Sequence, residues 1–155
     1  MLQNIEPIDI NRIIALLPHS YPFLLLDRIV SLRKDVNGIH VKAIKNITSS
    51  DSVIPVGTSL PNVFPAVLII ESLAQATVLL AQHVLGETHS NEVYYFAAIN
   101  RARFYYAVYP GDQLQLDVSF LRKRGRIVQL AGVASVLGKS VCTATFMCVQ
   151  AKSSL

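Results

Sequence analysis

The stretch that decides the fold is FPAVLIIESLAQATVLLAQHVLG, residues 64–86. Pro65 suits the start of a helix because its missing N–H costs nothing in the first turn, and Gly86 suits the position just after the end. About twenty residues lie between them, which is roughly 30 Å of helix at 1.5 Å per residue. Because nearly every face of this helix is apolar, the stretch predicts a long helix buried in a core.

One carboxylate, Glu71, interrupts this apolar helix. A buried carboxylate is costly unless it is paired or has a functional role. We therefore expect Glu71 either to act on a substrate or to be held by hydrogen bonds as an unreactive core acid.

The composition limits the class of protein. The 155 residues are 52% hydrophobic and 15% charged, whereas about a quarter of the residues in an ordinary globular domain are charged. We expect an oligomer interface, an enclosed apolar site, or both. No apolar run reaches eighteen residues without a polar interruption, so a membrane span is not expected; the N-terminus also lacks a signal-peptide pattern, and we expect a cytoplasmic protein. Cys142 and Cys148 are expected to be reduced core residues, and no metal or cofactor is expected.

Residues 101–126 contain six basic and two acidic residues, an excess equal to the net charge of +4 of the whole chain. No nucleic-acid-binding motif accompanies them, so we do not expect nucleic acid as a partner. Two interpretations stay open, namely solvated strand ends and a docking surface for an acidic protein. The basic residues are Arg101, Arg103, Arg122, Lys123, Arg124 and Arg126.

The rest of the chain predicts one short helix and several strands. We expect the helix at residues 8–17, capped by Asp9 and ended by Pro18, followed by a strand over residues 24–32. Asn37-Gly38 indicates a hairpin turn, and residues 48–63 read as a loop. Four further strand-like runs follow the long helix: residues 93–99 continuing into 103–108, 113–122, 127–136 and 140–149.

A helix that is apolar on all faces needs a sheet curled around it. The order of elements therefore predicts an α+β fold in which one antiparallel sheet wraps around the long helix, within a single domain of residues 1–155. Such a sheet leaves part of the helix uncovered, so a dimer is expected to complete the core.

Four segments resemble a known family. Residues 17–28, LPHSYPFLLLDR, are similar to the family signature LPHRYPFLLVDR, and residues 67–75, VLIIESLAQ, are similar to VLIIEALAQ. Residues 96–104, FAAINRARF, with 110–114, PGDQL, resemble FAGIDxARF and PGDQL. The family is that of the (3R)-hydroxyacyl-[acyl-carrier-protein] dehydratases of FabZ type. This resemblance implies the hotdog fold, assembled as homodimers and often as trimers of dimers.

The resemblance also implies a two-residue site at a dimer interface. In the family, a histidine of one subunit removes the proton at C2 of the acyl thioester, and a glutamate on the central helix of the other protonates the departing C3 hydroxyl. A base near neutral pH is required because only the thioester carbonyl acidifies C2, and hydroxide leaves poorly unless it is protonated. A backbone N–H at the start of the helix polarises the carbonyl.

Glu71 occupies the position of the family glutamate. The family histidine lies fourteen residues earlier, and this chain has Gly57 there, within a rewritten loop, VGTSLPNVFPA, at residues 56–66. Loss of a general base removes roughly two to four orders of magnitude in rate. The resemblance further implies substrate contacts from Ala66, Val67, Gln75 and Phe96. It implies docking of acyl carrier protein by Arg101, Arg103, Arg122 and Lys123.

Other histidines are poor substitutes for the missing base. His19 lies in the matched motif at a position that is structural in the family, and His83 lies about 18 Å along the helix from Glu71. Gln75 is expected to hydrogen-bond between the helix and neighbouring elements rather than to react.

Three functions stay open at this stage. The first is a dehydratase of 3-hydroxyacyl thioesters of acyl carrier protein, weakened or inactive alone. The second is a non-catalytic subunit or acyl-carrier binder that forms a heterodimer with a histidine-bearing paralogue. The third is a thioesterase that uses Glu71 on acyl-CoA or acyl carrier protein.

Overall fold

The computed structural model describes residues 7–36, 38–51, 62–86 and 92–152, together with the backbone of residues 3–5. In this part of the chain, seven antiparallel strands form one sheet in the order β1-β2-β3-β5-β6-β7-β4. The strands are β1 (Gln3–Ile5), β2 (Arg28–Asp35), β3 (Gly38–Asn46), β4 (Glu92–Phe104), β5 (Gln113–Arg124), β6 (Ile127–Val136) and β7 (Lys139–Lys152). Two helices accompany the sheet, α1 (Ile10–Leu16) and α2 (Ala66–Leu85).

The long helix α2 forms where the sequence predicts it. Pro65 is its N-cap, and Gly86, with φ +102°, is its C-cap. The backbone N–H of Gly86 donates to the carbonyl of Gln82, which closes the last turn. Every residue from 72 to 82 is buried. Within the described residues α2 is the one helix long and apolar enough to cross a membrane, and 67% of its apolar window is buried inside the chain.

The sheet wraps around α2 as predicted, because α2 contacts β3, β4, β5, β6 and β7. Gly132 in β6 packs against the helix and against β7. A Cβ atom at this position would lie 3.0 Å from Phe146 Cε2 and 3.2 Å from Leu73 Cδ2. A larger residue at this position would therefore force Phe146 or Leu73 to shift, and glycine avoids this crowding.

The prediction of a strand over residues 24–32 is wrong at its start, because β2 begins at Arg28. The preceding backbone is bound to the helix instead: the N–H of Leu25 donates to Gln75 Oε1 at 3.0 Å, and the carbonyl of Phe23 accepts from Gln75 Nε2 at 2.7 Å. A chain whose backbone groups are used in this way cannot pair as a strand at the same positions.

The other predicted boundaries shift only slightly. The first helix is shorter than residues 8–17, with Asp9 Oδ1 accepting from the N–H of Arg12 at 3.0 Å as the predicted cap. The runs 93–99 and 103–108 are one strand, β4, which ends at Phe104 and contains Arg101 at φ +53°. The β2–β3 hairpin is present, with Gly38 at φ +123°; Asn37 lies outside the described residues.

Candidate active site

Glu71 lies where the exposed first turn of α2 passes into its buried part. Its side chain is 36% exposed, and its Oε1 lies 3.1 Å from Nε2 of His19, which is 29% exposed. The imidazole is a hydrogen-bond donor to this carboxylate whenever Nε2 carries a hydrogen. A structural role was expected for His19 from the sequence, whereas its contact with Glu71 was not predicted.

Gln75 holds Glu71 in place from the next turn of the same helix. Its Nε2 donates to Glu71 Oε1 at 2.8 Å and to the carbonyl of Phe23 at 2.7 Å, while its Oε1 accepts from the N–H of Leu25. The side chain is 1% exposed. The expectation that Gln75 hydrogen-bonds between the helix and its neighbours agrees with these contacts.

The segment after α1 brings His19 to the helix. Its chain turns tightly, with the N–H groups of Phe23 and Leu24 both donating to the carbonyl of Ser20, and the Tyr21–Pro22 peptide bond is cis. Leu17, Leu25 and Leu26 are buried on either side of this turn. Gln75 then binds the turn at Phe23 and Leu25. The same hydrogen bonds that keep this segment out of β2 therefore also position His19.

Glu71, His19 and Gln75 line a cavity of about 450 Å³. The remaining lining residues are mostly apolar: Ala15, Leu16, Leu17, Pro18, Val78, Gln82, Glu92, Val93, Tyr94 and Phe96. Burial raises the pKa of Tyr94 to about 12, and its hydroxyl donates to the carbonyl of Gly86 at 2.6 Å. Glu71 is the first residue of α2 to line this largely apolar space, so the arrangement suits a polar head group near Glu71 with an apolar tail along the helix.

The structure brings together three of the predicted site residues and separates the others. Glu71, Gln75 and Phe96 share this cavity, whereas Ala66 lines a different groove at the start of α2, beside Phe104 and Tyr106. Val67 lines neither space and is 72% exposed. Gly57, at the family histidine position, lies outside the described residues.

The four predicted docking residues lie on two strands that are not neighbours. Arg101 and Arg103 of β4 line a groove on the sheet with Thr143 and Thr145. Arg122 and Lys123 are on β5, which β6 and β7 separate from β4. Three strand spacings amount to roughly 14 Å, so these residues form two basic areas rather than one.

Neither cysteine is available as a nucleophile. Burial raises the pKa of the Cys142 thiol to about 11 and that of Cys148 to about 12, and both are free and buried. A thiol reacts as its thiolate, which is scarce at such pKa values near neutral pH. No group of three or more possible metal ligands occurs among the described residues.

The wrapped sheet, the central helix and a helix carboxylate facing an apolar cavity define a hotdog protein. The family model for the FabA-like domain matches residues 17–145. The chain is 43% identical over 150 residues to the FabZ dehydratase of Tolumonas auensis, covering 97% of this chain and 99% of that one. It is 45% identical over 145 residues to that of Aeromonas salmonicida, covering 94% and 95%. The chain belongs to the FabZ family of 3-hydroxyacyl-[acyl-carrier-protein] dehydratases.

Solved structures share the fold at lower identity. The dehydratase heterocomplex ApeI:P from Xenorhabdus doucetiae superposes with a TM-score of 0.70 at 20% identity, covering 90% of each chain. A mutant thioesterase from Pseudomonas aeruginosa superposes with a TM-score of 0.68 at 13% identity, covering 94% of this chain and 95% of that one. These two likenesses establish the hotdog fold predicted from the sequence.

Proposed function

We propose that this protein acts on 3-hydroxyacyl thioesters of acyl carrier protein in fatty-acid synthesis, with Glu71 as the proton donor. The observation that carries the proposal is the position of Glu71 at one end of the 450 Å³ cavity, with His19 at 3.1 Å and Gln75 at 2.8 Å. Both neighbours contact Oε1, and we propose that Oε2, which has no hydrogen bond from the described residues, receives the hydroxyl of a substrate.

The reaction is an elimination of water. In the chain alone the base is a solvent water or hydroxide, which takes the C2 proton; the released electron pair forms the C2–C3 double bond, and the C3–O bond breaks while protonated Glu71 gives its proton to the departing oxygen. Gly57 has no side chain that could act as the base. We therefore propose that the chain alone turns over roughly two to four orders of magnitude more slowly than a relative that has the histidine. His19 is proposed as a positioning residue that orients the Glu71 carboxylate.

Incubation of the purified protein with a 3-hydroxyacyl-carrier-protein thioester tests this function directly. We expect slow formation of the 2-enoyl product, measured by mass spectrometry of the carrier protein, that is lost in Glu71→Gln. Glu92→Gln is the matched control, since Glu92 is a second carboxylate of the same cavity. Equal turnover in the wild type and in Glu71→Gln would contradict the proposal.

A second candidate function is that of a subunit that pairs with a histidine-bearing paralogue. Gly57 favours it, since the other half of the site would then come from the partner. Strand β4 offers an edge for such pairing, because it is the last strand of the sheet and it exposes Tyr95, Ile99 and Phe104. The related fold in the ApeI:P heterocomplex supports the idea as a precedent within the fold.

Mixing with a histidine-bearing FabZ relative distinguishes the two functions. If the chain is a subunit, the mixture forms heterodimers with higher activity than either protein alone, and Glu71→Gln in this chain reduces that gain. Formation of homodimers alone would exclude the second function. The thioesterase stays a prediction: it requires thiol release from acyl-CoA or acyl carrier protein, which the same incubations measure.

We propose a single domain over residues 1–155 in a cytoplasmic homodimer or trimer of dimers, with Arg101, Arg103, Arg122 and Lys123 contacting acidic acyl carrier protein. Ala66 and Val67 at the start of α2 would then face substrate or a partner. Charge reversal at Arg101 and Arg103 should weaken carrier-protein binding more strongly at low salt, because exposed charges are screened as salt rises.

A further inference from the structure

A second cavity of about 440 Å³ lies beyond the site, between α1, β2, β3 and the C-terminal part of α2. Its walls are mainly apolar, with Ile29, Leu32, Val41 and Leu79 among them. Of the described residues, Leu16 and Gln82 are the two that line both cavities. They therefore form the partition between the space at Glu71 and the space beyond.

One hydrogen bond closes this partition. Gln82 Nε2 donates to the carbonyl of Leu16 at 2.8 Å, which fixes the orientation of the amide. This carbonyl belongs to the last residue of α1, where helix carbonyls have no partner within their own helix. Gln82 is only 7% exposed, and its buried Oε1 has no hydrogen-bond partner among the described residues. A polar amide thus stands in the path between two largely apolar spaces.

We propose that Gln82 determines which acyl chains the protein accepts, by closing the first cavity to chains that would extend into the second. This inference rests on the proposed function, since it places the thioester at Glu71 and the acyl tail along α2. Eleven residues separate Glu71 from Gln82, which is roughly 16 Å of helix. Since each C–C bond advances an extended chain by about 1.3 Å, the chain reaches Gln82 after about a dozen carbons beyond C3.

Longer chains must displace Gln82 from Leu16. Displacement breaks the hydrogen bond and leaves the carbonyl of Leu16 and the amide of Gln82 beside alkyl groups, which is unfavourable for buried polar groups. A smaller apolar residue at position 82 has no hydrogen bond to break and no amide to leave unpaired, so it joins the two cavities.

The test is the binding of saturated acyl pantetheine amides, which cannot be dehydrated, in a series from about 8 to about 20 carbons. The binding constants of the full-length protein are measured by calorimetry. For the wild type we expect affinity to rise with chain length until the tail reaches Gln82 and then to stop rising. In Gln82→Ala the rise continues, and the longest chain binds about tenfold more tightly than to the wild type.

Thr77→Ala is the matched control. Thr77 is also buried on α2 with an unpartnered hydroxyl among the described residues, but it lines neither cavity. Its profile should match the wild type. Gln82→Met keeps the length of the side chain and loses the donor, so it serves if the alanine variant fails to fold, and its profile should also extend.

The outcomes separate the two proposals. Binding that rises steadily through the longest chain in the wild type would overturn the role of Gln82 without any variant. An unchanged profile in folded Gln82→Ala or Gln82→Met would overturn it too, while acyl binding as such would still support the proposed function. Absence of binding at every length would overturn both.

Discussion

The two parts of α2 are both mainly apolar, but their surroundings differ. Residues 72–82 are buried without interruption, whereas Ala66 and Val67 in the first turn are exposed although they are as apolar as the rest. Glu71 stands at the boundary, half-buried and bound to His19. The later part therefore lies wholly in the core, whereas the earlier part contributes Ile69 to the core and leaves Ala66 and Val67 exposed on the surface.

This difference explains how one helix serves both stability and chemistry. Every side chain after Glu71 that packs on the sheet restrains the helix, so the carboxylate has a fixed position.

The largest effect on stability is expected in the later part. Leu80 is fully buried, so Leu80→Ala should lower the free energy of unfolding by about 2–5 kcal/mol because it removes apolar contacts and leaves a cavity. Urea titration followed by circular dichroism measures the loss. A cost below that of Val67→Ala would reverse the comparison between the two parts.

A somewhat smaller effect is expected at the boundary. Gln75→Met keeps the size of the side chain but leaves the carbonyl of Phe23 and the N–H of Leu25 without their partner. The loss of unfolding free energy should be about 1–3 kcal/mol. Gln115→Met on the exposed side of β5 is the control and should change little. Equal stability of the two variants would show that Gln75 does not fasten the segment to α2.

His19 should affect turnover more than stability. His19→Asn removes the imidazole from Glu71, and loss of one hydrogen bond that orients the proton donor corresponds to roughly a tenfold fall in the rate of enoyl formation. The apparent affinity for substrate should change less than the turnover rate, because the residue acts on the carboxylate. A change in affinity alone would argue that His19 only shapes the cavity.

The smallest effect is expected in the first turn. Val67 is 72% exposed, so Val67→Ala should change the free energy of unfolding by no more than about 0.5 kcal/mol. Measurement at two protein concentrations separates folding from assembly. A loss that grows on dilution would show that a second chain covers this turn in solution.

Much of the fold could be predicted because the patterns are local. Pro65 and Gly86 mark the ends of α2 to within one residue, and the β6 bounds agree with the prediction, since alternation and turn residues decide them. The start of β2 could not be predicted, because it depends on Gln75, fifty residues away from Leu25 in sequence. The contact of His19 with Glu71 could not be predicted for the same reason. The two residues are far apart in sequence, and only folding brings them together.

The central claim is that Glu71 belongs to a site that lacks only its base. Turnover of a 3-hydroxyacyl thioester by Gly57→His, beside the parent protein, tests it most directly. We expect a gain of roughly two to four orders of magnitude in enoyl formation, which Glu71→Gln in the same background removes. A folded Gly57→His variant with the turnover of the parent would show that the site lacks more than its base.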